Sequence, residues 1–378
     1  TAIFGVLGSQ DKTAAAIRAL LEAGCNVNAQ DMYGETAFMS RINDDDVAKV
    51  MIEYGADVNQ ADNEGLTAMH RAVCIEAYQR LIEAGANPNV ASTGDYDEDE
   101  WCGEWPCGTT PLMLTRDYMS AKYLIEHGAD INAKTRKGYS VLMYLLWEYE
   151  LGPAIAVVNA GAELNVTAQN GNNPLHLICG SFKSLLAEPR HYRKFITKLV
   201  RQLLEAGCDL NAVNADGETP LHCAGSGYAI HELIKAGADI HIRDNDGNTP
   251  LHHAAMHNEK CVKALLAAGA DPNALNHQGQ NPLFCINEEE CFLPLIRAGA
   301  DVNCIDIHGK TPLHHAVKSE YYHLIQLMLK HHADPTIRDN KGRLAIEEKD
   351  LDKYIHRSRK RRFKVIKCKY RASRLLRR

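Results

Sequence analysis

The chain has 378 residues, 45% hydrophobic and 24% charged, with 27 glycines and 13 prolines; this excludes collagen-like, mostly disordered and small disulfide-stapled proteins. No uncharged apolar run approaches the roughly 18 residues of a bilayer-spanning helix, and the first residue is Thr1 rather than methionine, so the N-terminus is expected to have been cut or processed. The net charge of −6 hides two electrostatic parts: residues 353–378 hold 13 Lys and Arg and no acid, leaving the rest at −19, with 29 basic against 48 acidic residues. The acidic body is expected to repel nucleic acid and anionic membrane, and only the tail to attract them. Twelve scattered cysteines read as small buried apolar residues of a reducing compartment.

Two glycine series run in phase along the chain. One is Gly34, Gly65, Gly108, Gly138, Gly171, Gly217, Gly247, Gly279, Gly309 and Gly342; the other is Gly24, Gly55, Gly85, Gly128, Gly161, Gly207, Gly237, Gly269 and Gly299. The prevailing period of about 33 residues marks stacked supersecondary units. In chain order, first helices are expected after Glu35-Thr36-Ala37-Phe38, Leu66-Thr67-Ala68-Met69-His70, Tyr139-Ser140-Val141-Leu142 and Asn173-Pro174-Leu175-His176, and at 219–222, 249–252 and 311–314. The unit at 246–269 shows the logic. Asp246-Gly247 makes a tight turn, Thr249 caps a helix, and Pro250 occupies its first position, where the missing N–H costs nothing. That helix is expected to run to about His257. A second begins near Lys260 with Cys261, Leu265 and Leu266 on one face, and Gly269 ends it. No unit of this size buries its apolar face alone, so neighbours must stack.

Thr-Pro-Leu-His at 219–222, 249–252 and 311–314, with Gly-Ala-Asp followed by Asn at 55–59, 128–132 and 299–303, resembles the ankyrin repeat family. Thr1-Ala2-Ile3-Phe4 falls at the same position, and His332 replaces the glycine that ends the last full unit. The resemblance implies an all-α ankyrin-repeat solenoid of about ten helix-turn-helix units with β-turn fingers, in a curved right-handed stack. Residues 1–340 would form the solenoid, and residues 341–378 a degenerate cap with a basic tail. It also implies that the motif histidines are buried and hydrogen-bonded within and between turns, so neither a metal nor a cofactor is expected. No P-loop, GxSxG, HExxH or dinucleotide-binding glycine cluster is present, and no enzymatic activity is expected.

Departures from the repeat nominate contact residues. An insertion at about 92–108 joins six acidic side chains, among them Glu98, Asp99 and Glu100, to Tyr96, Trp101 and Trp105. By the family's geometry it lies in a finger, where it either docks a basic partner or folds its tryptophans onto the adjacent repeat. Cys102 and Cys107 are expected as free thiols in a reducing compartment and as a disulfide in an exported protein. A second insertion, about 180–195, holds Lys183, Arg190, Arg193 and Lys194, with Lys198 and Arg201 following; it reads as a basic patch for an anionic partner or as a solvated helical extension. The family's concave binding face, carried over by phase, adds Met32, Tyr33, Asp117, Tyr118, Arg136, Lys137, Tyr139, Trp147 and Glu148, and later Met256, His257, Glu288, Glu289 and Lys318; Trp147 reads equally as core. The tail, with Arg357, Arg359, Lys360, Arg361, Arg362 and Lys364, reads as a cap, a nuclear import signal or an anionic-surface contact, and does not match ubiquitin-ligase recruitment boxes.

The expected function is therefore a non-catalytic scaffold or adaptor that binds a partner protein through the concave face and fingers, as a cytoplasmic monomer. Short degenerate repeats are similar to those of bacterial and viral proteins that act in a host cell's cytosol or nucleus. The alternatives are the recognition part of a larger enzyme with its catalytic domain before Thr1, and a membrane or nucleic-acid binder acting through the tail. Nucleic acid is the least expected partner.

Overall fold

The computed structural model describes residues 4, 14–94, 105–180, 190–347, 350, 353 and 354, except for the side chains of 190–193 and 195. Among them every regular element is helical. Extended pairing is confined to the isolated bridges Gln30–Thr36, Lys134–Ser140 and Arg338–Leu344. The chain divides into two compact units, Thr1–Pro174 with Ala206–Cys208, and Leu175–Glu205 with Asp209–Arg378.

The first unit contains α1 (Ala14–Glu22), α2 (Ala37–Arg41), α3 (Asp45–Glu53), α4 (Ala68–Arg71) and α5 (Ile75–Glu83). A 3-10 turn (Pro111–Leu114) stands in for the next first helix, followed by α6 (Tyr118–Glu126), α7 (Val141–Trp147) and α8 (Leu151–Asn159). Second helices pack on one another, α1 on α3 and α6 on α8, and α3 and α8 also cover their own first helices, α2 and α7. The core this builds includes Phe38, Met51, Met69, Tyr78, Leu112 and Leu142, all essentially solvent-free.

The second unit takes up at α9 (Pro174–Gly180), within which the division falls, and continues through α10 (Arg190–Glu205), α11 (Pro220–Cys223) and α12 (Gly227–Lys235). Then come α13 (Pro250–His257), α14 (Glu259–Ala267), 3-10 turns at Pro282–Cys285 and Glu289–Cys291, α15 (Phe292–Arg297), α16 (Pro312–Lys318) and α17 (Tyr322–Lys330). The bounds of α13 and α14 agree with the sequence reading, and Asn258 separates them by accepting the Lys260 N–H at 2.9 Å. On α14 the buried stripe is Cys261, Val262 and Leu265, with Leu266 half-buried. At 100° per residue, 261, 262 and 265 share a face more closely than 261, 265 and 266 do.

Two hydrogen-bond ladders hold successive repeats in register. Asparagines at the head of several fingers reach the next repeat. Asn59 Nδ2 donates to the Gly85 carbonyl at 3.0 Å while its Oδ1 accepts the Asn87 N–H at 2.8 Å. Asn273 does the same to Gly299 and Asp301, and Asn303 to His332 and Asp334. The fingers also meet through backbone, with Asn63 N–H donating to Tyr33 O, Arg136 to Cys107 O, His277 to Asp246 O and Ile307 to Gln278 O, all at 2.9–3.0 Å. That approach explains one glycine series. Gly247 has φ +79°, and a Cβ there would stand 2.8 Å from the His277 nitrogen, so both conformation and space demand glycine. His332 takes φ +72° where other repeats have glycine.

Candidate protein-interaction surface

The histidine of Thr-Pro-Leu-His is committed to structure. His252 Nδ1 accepts the Thr249 N–H at 3.1 Å, and its Nε2 lies 3.0 Å from the Gln280 carbonyl of the next repeat. Because Nδ1 accepts, the proton sits on Nε2, which donates. The imidazole closes a capping box in the place where Glu or Gln is usual. His70, His222 and His314 repeat the arrangement toward Thr109, Asn248 and Arg343. Burial lowers His70, His222 and His252 to about 4, although the bonds to the neighbouring carbonyls pull upward. Among the described residues no three His, Cys, Asp or Glu side chains gather as a metal site would require.

A second set of pairs ties finger to helix. Asp244 Oδ2 accepts from His253 Nε2 at 2.8 Å, Asp62 stands 3.7 Å from Arg71, and Asp306 stands 3.5 Å from His315. Burial alone would raise the Asp244 carboxyl, but the hydrogen bonds from His253 and Asn248 outweigh it and hold it below the usual range. These acids also brace their own turns. Asp62 Oδ1 accepts the Glu64 and Leu66 N–H groups at 2.9 Å.

The expected contact residues fall into separate groups. Tyr33 stands 66% exposed on its finger beside Met32 at 81%, its N–H donated to Asp31. Arg136 and Lys137 are exposed on a later finger, where their carbonyls accept from Gln169 Nε2 and Gln169 N–H. The structure brings Tyr139 and Trp147 together: their rings lie 6.3 Å apart, Tyr144 meets Trp147 edge-on at 6.0 Å, and Asn170 donates to the Tyr139 hydroxyl. Trp147 is 37% exposed. Asp117 and Tyr118 begin α6, at the end of their repeat's first helical turn away from the finger. Asp117 caps α6 by accepting the Ser120 N–H at 2.8 Å, and Tyr118 remains exposed. Trp105 is half-buried with the Arg71 guanidinium 5.4 Å from its ring centre, so this tryptophan does fold onto the preceding repeat. Cys107 is a free thiol. Tyr96, Glu98, Asp99, Glu100, Trp101 and Cys102 lie outside the described residues, as do Arg357, Arg359, Lys360, Arg361, Arg362 and Lys364 of the tail. Sequence reasoning missed the exposed finger residues Val213, Leu275 and Ile305 of the second unit, each the residue before a turn-bracing Asn or Asp. That register was the available signal.

Comparison with known families identifies the repeat. The model for ankyrin repeats in three copies matches residues 7–92, 192–276 and 260–339, and the single ankyrin repeat model matches 107–136. The chain belongs to the ankyrin repeat family. Among relatives, Neurogenic locus notch homolog protein 1 of Homo sapiens is 31% identical over 158 residues, or 40% of this chain and 6% of that protein. The Danio rerio protein of the same name is 32% identical over 177 residues, 44% of this chain and 7% of the relative. Ankyrin repeat and SOCS box protein 16 of Homo sapiens is 28% identical over 198 residues, covering 47% of this chain and 37% of that protein. The chain thus spans a small part of the notch relatives it matches. Ankyrin repeats are a protein-interaction module, typically without catalytic function. Among the described residues no helix is long and apolar enough to cross a membrane.

Proposed function

We propose that the chain is a non-catalytic scaffold that grips a partner protein with the fingers and first-helix ends around residues 105–149. The observation that carries this is the grouping there of Tyr139 with the partly exposed Trp147, beside the exposed cations Arg136 and Lys137. Aromatic and arginine side chains of this kind dominate interface energies, and their backbones are already fixed by the finger ladder, so little ordering cost remains on binding. Tyr33, Asp117 and Tyr118 extend the proposed contact, and Tyr96, Glu98, Asp99, Glu100 and Trp101, which lie outside the described residues, are proposed to take part in it. The ten cysteines among the described residues that are free thiols support a reducing compartment such as the cytoplasm.

The test is affinity capture with mass spectrometry on the intact chain, compared with a Trp147→Ala/Tyr139→Ala variant and a Trp101→Ala/Trp105→Ala/Tyr118→Ala variant of unchanged thermal melting. Loss of the same captured protein from both is the expected result. Undiminished capture by both variants rejects this surface.

A further inference from the structure

Eight of the second helices among the described residues are nine residues long, but α10 has sixteen. From Arg190 to Arg201 it holds five Lys and Arg and no acid, on a chain whose body is acidic. Ile196, Leu199, Val200 and Leu203 are buried in the second unit. Lys194, Lys198 and Arg201 therefore line the other face at i, i+4 and i+7 spacing. That face borders an open groove of about 600 Å³, lined further by Thr197, Gln202 and Glu205 of α10 and by Tyr228 at the start of α12. Arg201 is held by Glu232 at 3.2 Å, whereas no carboxylate among the described residues pairs with Lys194 or Lys198.

We propose that this groove is a second docking surface, distinct from the finger contact, for an extended acidic segment of a partner protein. Charge complementarity and register argue for it. Along a helix, i and i+4 lie about 6 Å apart in rise, and alternate residues of an extended chain lie about 6.6 Å apart on one face. Carboxylates at every second residue therefore meet Lys194 and Lys198 in turn, while Tyr228 offers a ring to an intervening aromatic or apolar side chain. The groove volume lies within the range of sites that enclose a few side chains. The fixed cation Arg201, already neutralised by Glu232, sets the end of the run.

The test uses the full chain and fluorescence anisotropy with a labelled eight-residue peptide alternating aspartate and serine around a central tyrosine. Binding is expected at low salt and should weaken at least tenfold in Lys194→Glu/Lys198→Glu. It should weaken about threefold in Tyr228→Ala, and stay within twofold in Lys263→Glu, a cation paired with Glu259 on α14. Both lysines are exposed, so the double variant is expected to keep the parental melting temperature. Full retention of binding in the double variant, as would occur if the C-terminal basic residues were the receptor, overturns the proposal. So does equal binding of the peptide's asparagine counterpart, or a stronger response to phosphatidylserine vesicles or single-stranded DNA than to the peptide.

Discussion

Each motif histidine does two jobs with one proton. Nδ1 must be bare to accept the threonine N–H, and Nε2 must be protonated to reach the next repeat. A second proton, on Nδ1, would face that N–H directly. His252 is also faced by His253 and Arg243, which oppose protonation, and by Asp244, which favours it; burial is the largest influence and keeps the ring neutral down to about pH 4. The folded value lies below the ordinary 6.5, so the unfolded chain binds protons more readily. For His70, His222 and His252 the stabilisation is therefore complete above about pH 6.5 and is lost as pH falls toward 4, by roughly 3 kcal/mol each. Asp244, whose folded value is also depressed, adds a further loss only at lower pH, as its own carboxylate protonates. His252→Gln isolates the effect. Glutamine keeps an acceptor in the capping box but does not titrate. Urea midpoints should show it about 1 kcal/mol weaker at pH 7, from the lost bond to Gln280, with a shallower decline toward pH 4.5. Parallel declines in parent and variant would contradict this account.

At the scale of elements, the joints between repeats carry more of the register than the helices do. Asn273 supplies two bonds to the repeat that follows, at 2.9 and 2.7 Å. Both are exposed to water, so Asn273→Ala is expected to cost about 1–2 kcal/mol rather than the full price of two buried bonds, read as a shift of the urea midpoint. Asn273→Asp keeps the acceptor for the Asp301 N–H and should recover part of the loss; no difference between the two substitutions would mean that the bond from the Asp301 N–H contributes nothing. Much of this architecture was readable beforehand. Turn glycines, the threonine cap, Pro250 and the helix ends at His257 and Gly269 follow from local rules, which is why they could be placed to the residue. The asparagine ladder was visible only as a recurring letter, because its partners lie nearly thirty residues away. The finger-to-helix pairs were legible in principle, since the repeats serve as an internal alignment. At a constant separation of nine, Asp62, Asp244 and Asp306 face Arg71, His253 and His315, whereas Asn214 and Asn276 stand opposite Cys223 and Cys285. What sequence left open was the fate of single aromatics: whether Trp105 faces solvent or Arg71, and whether Trp147 is core or surface, depends on the neighbouring repeat's side chains and not on local pattern.

For the molecule as a whole, the consequence of stacking is that stability is a sum of repeat terms and nearest-neighbour terms rather than the property of one central core. Leu265 provides the test. It is fully buried in α14, which contacts α12, α13 and α15. Leu265→Ala removes that packing at a cost of about 2–5 kcal/mol. In a protein with a single core this loss would lower protection of every slowly exchanging amide alike. In a stack it should be felt most within residues 249–269, less in the flanking repeats at 219–237 and 281–299, and not at all in α2–α5 of the first unit. Hydrogen exchange followed by mass spectrometry on the intact chain, parent against variant, reads this gradient directly. Uniform loss of protection from residue 37 to residue 330 would show a single cooperative transition. A graded loss would also explain how the fingers around residues 105–149 can vary their exposed side chains freely: each repeat then answers for its own stability and that of two neighbours, and a substitution that tunes binding in one place leaves the rest of the array folded.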